Sequence, residues 1–293
     1  MHSEVTVVVG IDAKTIQQLA ISCETWRLHR PEMWSMPWVL FWDWTKPYGI
    51  SREELEKIER QLAVPNLRTV QWPSSGSAPK HAYESQRECM LSGHVWVPGT
   101  YVETDWSMKI DTDVLALRKS DWLQEAWFED TCDTKGGTLE CDANCEPRYI
   151  APSWNYTKGV NYLGRLEEWG DAVKFGPHGI HPRLGIPFDP THLRVPHKRM
   201  CSWVSFYNTS WLQWLCRELG RTVGNGRLPV PSQDTTVWYA AERERAGEVD
   251  NRAPGCYRHV NMKRMGWGNF SKLSALTEVA KQVLSGQEAI VDA

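Results

Sequence analysis

Asp111-Thr112-Asp113 is the segment of this sequence whose residue types and spacing best lend themselves to chemistry. The triplet ends an apolar stretch, Ser107-Met108-Lys109-Ile110, and precedes another apolar run at residues 114–117. A chain of this length holds roughly one Asp-x-Asp by chance, so the spacing alone decides nothing. Its setting matters more. Two carboxylates at a strand end repel one another and resist burial unless a cation or hydrogen-bond donors compensate them. A hard divalent ion on oxygen ligands, shared with a substrate diphosphate, meets that need. An exposed acidic turn is the plain alternative.

Further acids recur at comparable places. Asp12 and Asp43 each follow an apolar run, residues 5–11 and 37–42. Asp234, in Pro231-Ser232-Gln233-Asp234, stands at a helix start. There it serves as an N-cap, as a carboxylate that accepts a proton, or as both. His259 lies in Cys256-Tyr257-Arg258-His259-Val260 near the end of the chain.

The elements that must position these residues follow from periodicity. Residues 5–11 (VTVVVGI) form a β-branched run that reads as a strand buried on both faces. Apolar Ile16, Leu19, Ala20, Cys23 and Trp26 recur at a helical period over residues 13–29. A second strand at 37–42 precedes a helix capped by Ser51, with Glu53 and Glu54 in its first turn and Pro65 beyond its end. A third strand at 67–72, a loop at 73–77, a helix at 79–94 and a strand at 101–110 complete the series. Strand and helix thus alternate four times, which predicts an α/β fold with a mostly parallel central sheet flanked by helices. Ligands in such sheets bind at the carboxyl ends of the strands, where Asp12, Asp43 and Asp111 fall.

After residue 117 the alternation stops. Residues 130–200, rich in Gly, Pro and aromatics, read as a loop-rich insertion. Residues 202–207 read as a strand, and 210–219, 235–245 and 271–284 as helices. No internal repeat or low-complexity segment is present.

This order of motifs resembles the GT-A glycosyltransferases, in layout over residues 5–117 and more loosely to residue 268. The resemblance implies a Rossmann-like GT-A fold as one domain over 1–293. Residues 1–117 would be the nucleotide-sugar-binding half, 118–270 the acceptor-binding half, and 271–293 a terminal helix and tail. It implies transfer of a sugar from a nucleoside-diphosphate sugar to an acceptor hydroxyl, dependent on Mn²⁺ or Mg²⁺. By that analogy Asp113 ligates the metal, Asp111 holds the ribose or shares the metal, and His259 completes the metal site. Asp12 and Asp43 would face nucleobase and ribose, and Lys80 and Arg87 would touch nucleotide or phosphate. Asp234 would deprotonate the acceptor, giving inversion, and Gly266-Trp267-Gly268 would form a flap over the diphosphate. Each basic residue has a solvated helix surface as its plain alternative.

Two other readings compete. A haloacid-dehalogenase-like phosphatase would use Asp111 as nucleophile, but its motif wants Thr or Val where Leu115 stands, and sits near the first strand. A non-enzymatic, Trp-rich carbohydrate- or nucleic-acid-binding module would account for the seventeen tryptophans but not for acids at successive strand ends.

The acceptor is open between two classes, a saccharide or glycoconjugate and a hydroxymethylated base in phage DNA. The basic run His192, Arg194, His197, Lys198 and Arg199 precedes Trp203, Phe206 and Tyr207, a mixture that suits a polyanion as well as a solvated surface. Trp154, Asn155 and Trp203 are the acceptor-side candidates, the tryptophans as stacking platforms. A net charge of −3 provides no global basic field for nucleic acid. The N-terminal residues lack a signal-peptide pattern and no stretch is apolar enough to span a bilayer, so a cytoplasmic protein is expected. Eight dispersed cysteines then read as reduced thiols, with Cys132, Cys141 and Cys145 matching no usual zinc spacing.

Overall fold

The computed structural model describes residues 4–42, 49–71, 97–117, 147–151, 153–155, 198–200, 204–214, 216, 247–250, 257–260 and 271–287. The chain forms two compact units. One comprises Met1–Glu4, Pro73–Lys109 and Glu125–Asn251, the other Val5–Trp72, Ile110–Gln124 and Arg252–Ala293.

The second unit holds β1 (Val5–Ile11), β2 (Trp38–Trp42) and β3 (Leu67–Gln71), parallel and adjacent in the order β1-β2-β3. β1 and β2 are buried along almost their whole length, as continuous apolar runs in a covered parallel sheet must be. Val7 pairs with Trp38 and Gly10 with Phe41. The Phe41 ring lies where a Cβ on Gly10 would stand, so only glycine fits that register.

Between these strands run α1 (Ile16–His29), a 3₁₀ turn (Pro31–Ser35) and α2 (Arg52–Leu62). α1 begins three residues later than the periodicity predicts, because Asp12 to Thr15 form a hydrogen-bonded turn first. Its buried face also differs. Gln18, Ser22 and Thr25 are buried beside Leu19, Cys23 and Trp26, while Ile16 and Ala20 are only half-buried. The reason is that this face must supply hydrogen bonds as well as apolar contact.

α2 starts with a full capping box: Ser51 Oγ accepts from the Glu54 amide, and a Glu54 carboxylate oxygen accepts from the Ser51 amide. Leu55, Ile58 and Leu62 are its buried face, as the spacing predicts. At its far end Arg27 donates to the carbonyls of Gln61 and Leu62, and Trp34 Nε1 donates to Leu62 as well. Ala63 closes the helix with φ 47°, in the left-handed region that costs a residue with a Cβ. Ala63→Gly is therefore expected to stabilise the protein by about 0.5–1 kcal/mol, read as a higher urea midpoint at unchanged slope.

β5 (Val114–Ala116) and β11 (Tyr257–His259) pair antiparallel, and α4 (Lys272–Leu284) ends the described chain. Ala275, Leu276, Val279, Ala280 and Val283 of α4 share a core with Leu115 and Val260. α4 also packs against α1. Its apolar spacing and its cap, Ser271, agree with the sequence.

In the first unit the strand order is β10-β6-β9-β4, where β4 is Trp106–Ile110, β6 Pro147–Ala151, β9 Val204–Asn208 and β10 Gly247–Asp250. β10 runs parallel to β6, and β6 antiparallel to β9. β7 (Ser153–Asn155) and β8 (Lys198–Met200) form a separate antiparallel pair. Two sequence expectations need correction here. The strand expected over 101–110 begins only at Trp106, since Val97–Tyr101 is a short helix, α3, closed by a bond from Val102 to the Pro98 carbonyl. The stretch read as loop-rich contains β6, β7 and β8, three short strands. The partners of β6 and β7 lie tens of residues away, and composition hid them all.

The fold class is thus α/β, as expected. The helices expected over 79–94 and 235–245 fall outside the described residues. Among the described residues no helix is long and apolar enough to cross a membrane.

Candidate metal centre

The acidic triplet forms the turn between β4 and β5. The Val114 amide donates to the Asp111 carbonyl across 3.3 Å, so the triplet closes a turn on itself. Thr112 and Asp113 are buried and Asp111 half-buried, which removes the exposed-turn alternative for the second acid.

α1 holds this turn with its polar face. Thr112 Oγ1 donates to Gln18 Oε1 (3.1 Å), Trp26 Nε1 donates to the Val114 carbonyl (2.7 Å), and Thr25 Oγ1 accepts from the Ala116 amide (3.1 Å). Residues 18, 25 and 26 recur at roughly two helical turns, so one stripe of α1 tracks the backbone from Thr112 to Ala116. Each bond is buried, where an unmatched partner is costly. Gln18→Leu and Thr112→Val are each expected to weaken divalent-metal binding by about tenfold. The double variant should lose no more than either single one. Additive losses in a Mn²⁺ titration would show that the Gln18–Thr112 bond does not position the acids.

β11 brings the third group. Its antiparallel register sets His259 opposite Val114, and the Val260 amide donates to the Asp113 carbonyl at 3.0 Å. Imidazole and carboxylate are thereby fixed on adjacent strands. A carboxylate oxygen from each of Asp111 and Asp113 and an imidazole nitrogen of His259 lie within 4.8 Å of one another. Two carboxylate oxygens and one imidazole nitrogen, part buried and part open, suit a divalent first-row ion, with remaining positions left for substrate oxygens.

Asp113 also has a lysine neighbour. Lys272, the first residue of α4, sets its ammonium against Asp113 Oδ2, the same oxygen that His259 Nε2 approaches at 3.2 Å. Burial pushes the Asp113 carboxyl upward, but the His259 hydrogen bond and the charges of His259 and Lys272 outweigh it and bring the pKa down to about 2. Asp113 is therefore a carboxylate at any working pH.

Asp12 stands at the carboxyl end of β1, as expected. One of its oxygens, Oδ1, is committed to its own loop: it accepts from the Lys14 amide, the Thr15 amide and the Thr15 hydroxyl, each at 2.8 Å. Its demonstrated role is to shape the entry to α1. Trp154 and Asn155 lie on β7, in register with Arg199 and Lys198. Asp43, Lys80, Arg87, Trp203, Asp234, Gly266-Trp267-Gly268 and the Cys132, Cys141 and Cys145 cluster all lie outside the described residues.

Sequence reasoning missed Lys272 and the polar stripe of α1. Lys272 did leave a trace. A lysine in the first turn of a helix, with no acid there, opposes the helix dipole and points to a partner elsewhere.

No protein-family model matches the sequence, and no curated protein matches it. Among solved structures the chain is similar to the galactosyltransferase LgtC in complex with donor and acceptor sugar analogues, at 14% identity and TM-score 0.48, covering 98% of this chain and 97% of that one. It is also similar to the apo form of the glycosyltransferase GlyE of Streptococcus pneumoniae, at 12% identity and TM-score 0.48, covering 98% of this chain and 64% of that one. A further similar structure is the core-mannan synthase CmsA/Ktr4 of Aspergillus fumigatus in its Mn/GDP form, at 12% identity and TM-score 0.39, covering 96% and 84%.

Proposed function

We propose that this chain is a metal-dependent glycosyltransferase that moves a sugar from a nucleoside-diphosphate sugar to an acceptor hydroxyl. The observation that carries the reading is the convergence of Asp111, Asp113 and His259 on one point, from a strand-end turn and a strand more than a hundred residues later. An imidazole beside two carboxylates favours Mn²⁺ over Mg²⁺, which prefers oxygen and water.

Asp111, Asp113 and His259 would hold the ion, which when bound supplies Lewis-acid neutralisation of a diphosphate leaving group. Asp113 is the anchor, buried and ionised, whereas half-buried Asp111 stays accessible to substrate. Asp12, at the end of β1, is proposed to meet a nucleotide hydroxyl through Oδ2 while Oδ1 holds the loop. Asp234 is the proposed base on the acceptor, with inversion as the outcome, and Lys80, Arg87 and Asp43 are proposed donor-side contacts. The whole chain acts as one functional domain in this reading, in the cytoplasm.

The acceptor is proposed to be a saccharide or glycoconjugate. A second reading, a hydroxymethylated base in DNA, is motivated by the strand register that pairs Trp154 with Arg199 and Asn155 with Lys198. Binding to duplex DNA that weakens steeply with salt supports the second reading, and no such binding supports the first.

The test of the activity is a panel of nucleotide sugars incubated with the protein and Mn²⁺. A matching donor is expected to raise the melting temperature and to be slowly hydrolysed, with both effects abolished by chelator. Release of phosphate from simple monoesters, with no response to any nucleotide sugar, would instead support the phosphatase use of Asp111.

A further inference from the structure

Lys272 and a divalent ion both call on the Asp113 carboxylate. The Lys272 ammonium is in contact with Asp113 Oδ2, and His259 Nε2 approaches that oxygen from β11. Asp113 and His259 also belong to the three-residue cluster able to hold an ion. A carboxylate oxygen that has an ammonium and an imidazole on it has no lone pair left for a metal. Placing a doubly charged ion within contact range of an ammonium adds repulsion between like charges at a largely buried carboxylate.

We propose that Lys272 and a divalent ion compete for the Asp113 carboxylate, and that metal binding displaces the lysine. This rests on the metal-site reading above. Three observations carry it. Asp113 is almost fully buried, so its charge requires a partner whenever the ion is absent. The Lys272 side chain is 45% exposed, so it can swing into water with little desolvation cost. It also sits at the first position of α4, where the helix dipole disfavours a positive charge, so the Asp113 carboxylate is the group that favours its inward position. The rest of α4 need not move, because Ala275, Leu276, Val279, Ala280 and Val283 anchor it to Leu115 and Val260.

Displacement makes metal affinity the difference between gaining an ion and losing the lysine. Lys272→Met leaves the ion without a competitor, whereas Lys272→Arg keeps one. The device would hold the acidic turn and its cover together while the site is empty, and set the metal concentration at which it fills.

The experiment uses the full chain and Mn²⁺ alone, with binding followed by calorimetry and by the electron-spin resonance of free Mn²⁺. Melting is measured in chelator and in saturating Mn²⁺. Lys272→Met is expected to bind Mn²⁺ on the order of tenfold more tightly than wild type, and Lys272→Arg to remain near wild type. In chelator Lys272→Met should melt below wild type, and saturating Mn²⁺ should close that gap. Unchanged or weaker Mn²⁺ binding by Lys272→Met, with wild type binding normally, overturns the displacement and leaves the metal site standing. A melting gap that persists in chelator while neither protein binds Mn²⁺ overturns the metal reading itself, and the displacement with it.

Discussion

Asp113→Asn is expected to lower metal-dependent sugar transfer by about 10³-fold or more, the rate equivalent of roughly 4 kcal/mol of lost charge stabilisation. The substitution keeps the shape of the side chain and leaves the Val260-to-Asp113 backbone bond in place. What it removes is the buried carboxylate charge among the three candidate ligands. An amide oxygen is a poor ligand beside His259 and Lys272, and Mn²⁺ affinity should fall with activity. The metal-free protein provides an independent check. Its carboxyl titrates at about 2, below its ordinary value of 3.8, so the charged form stabilises the fold. That contribution is complete above the ordinary value and is lost as pH falls through the depressed one. The stability difference between wild type and Asp113→Asn, measured in chelator, should therefore be constant near neutrality and shrink below pH 3.8. A variant that keeps a tenth of the activity and full Mn²⁺ affinity would remove Asp113 from the metal site.

Gly10→Val should be the most damaging single change to stability, costing about 3 kcal/mol or more by overpacking. Gly10 lies in β1, paired with Phe41 of β2, and the Phe41 ring fills the space a side chain would need. Phe41 is buried, so its ring can give way only by disturbing the packing around it. Gly10→Ala should cost less, about 1–3 kcal/mol, and Phe41→Leu in the same chain should recover part of it. Urea unfolding measures all three. A Gly10→Ala protein within 0.5 kcal/mol of wild type, an ordinary surface effect by size, would show that Phe41 is not held over the glycine. The consequence reaches function, because β1 leads directly into Asp12 and the turn that starts α1.

The parts of the fold that were legible from sequence are those with a local signature. β1 and β2 are continuous β-branched and aromatic runs, and α2 and α4 carry apolar spacing with Ser51 and Ser271 as caps. The acidic triplet at the end of β4 was legible for the same reason. β6, β7 and β8 were not. Three to five residues long, they exist by pairing with distant segments, and nothing in their own sequence requires a strand. α1 was half legible: its helical period was clear, but its polar buried stripe reads as a solvated face until β5 is placed against it.

The site divides along the same line. That two acids stand together at the end of an apolar strand was legible in the sequence alone, because apolar period and charge are local properties; that the second acid is buried, and so needs a partner, came from the structure. Which partners come was decided by tertiary structure. His259 arrives through the register of β11 on β5, 145 residues after Val114 of its pair, where a shift by one residue would turn the ring to the opposite face. Lys272 arrives through the docking of α4 on Leu115 and Val260. Both depend on long-range contacts whose energy lies in apolar burial and strand pairing, spread over residues that carry no chemistry themselves.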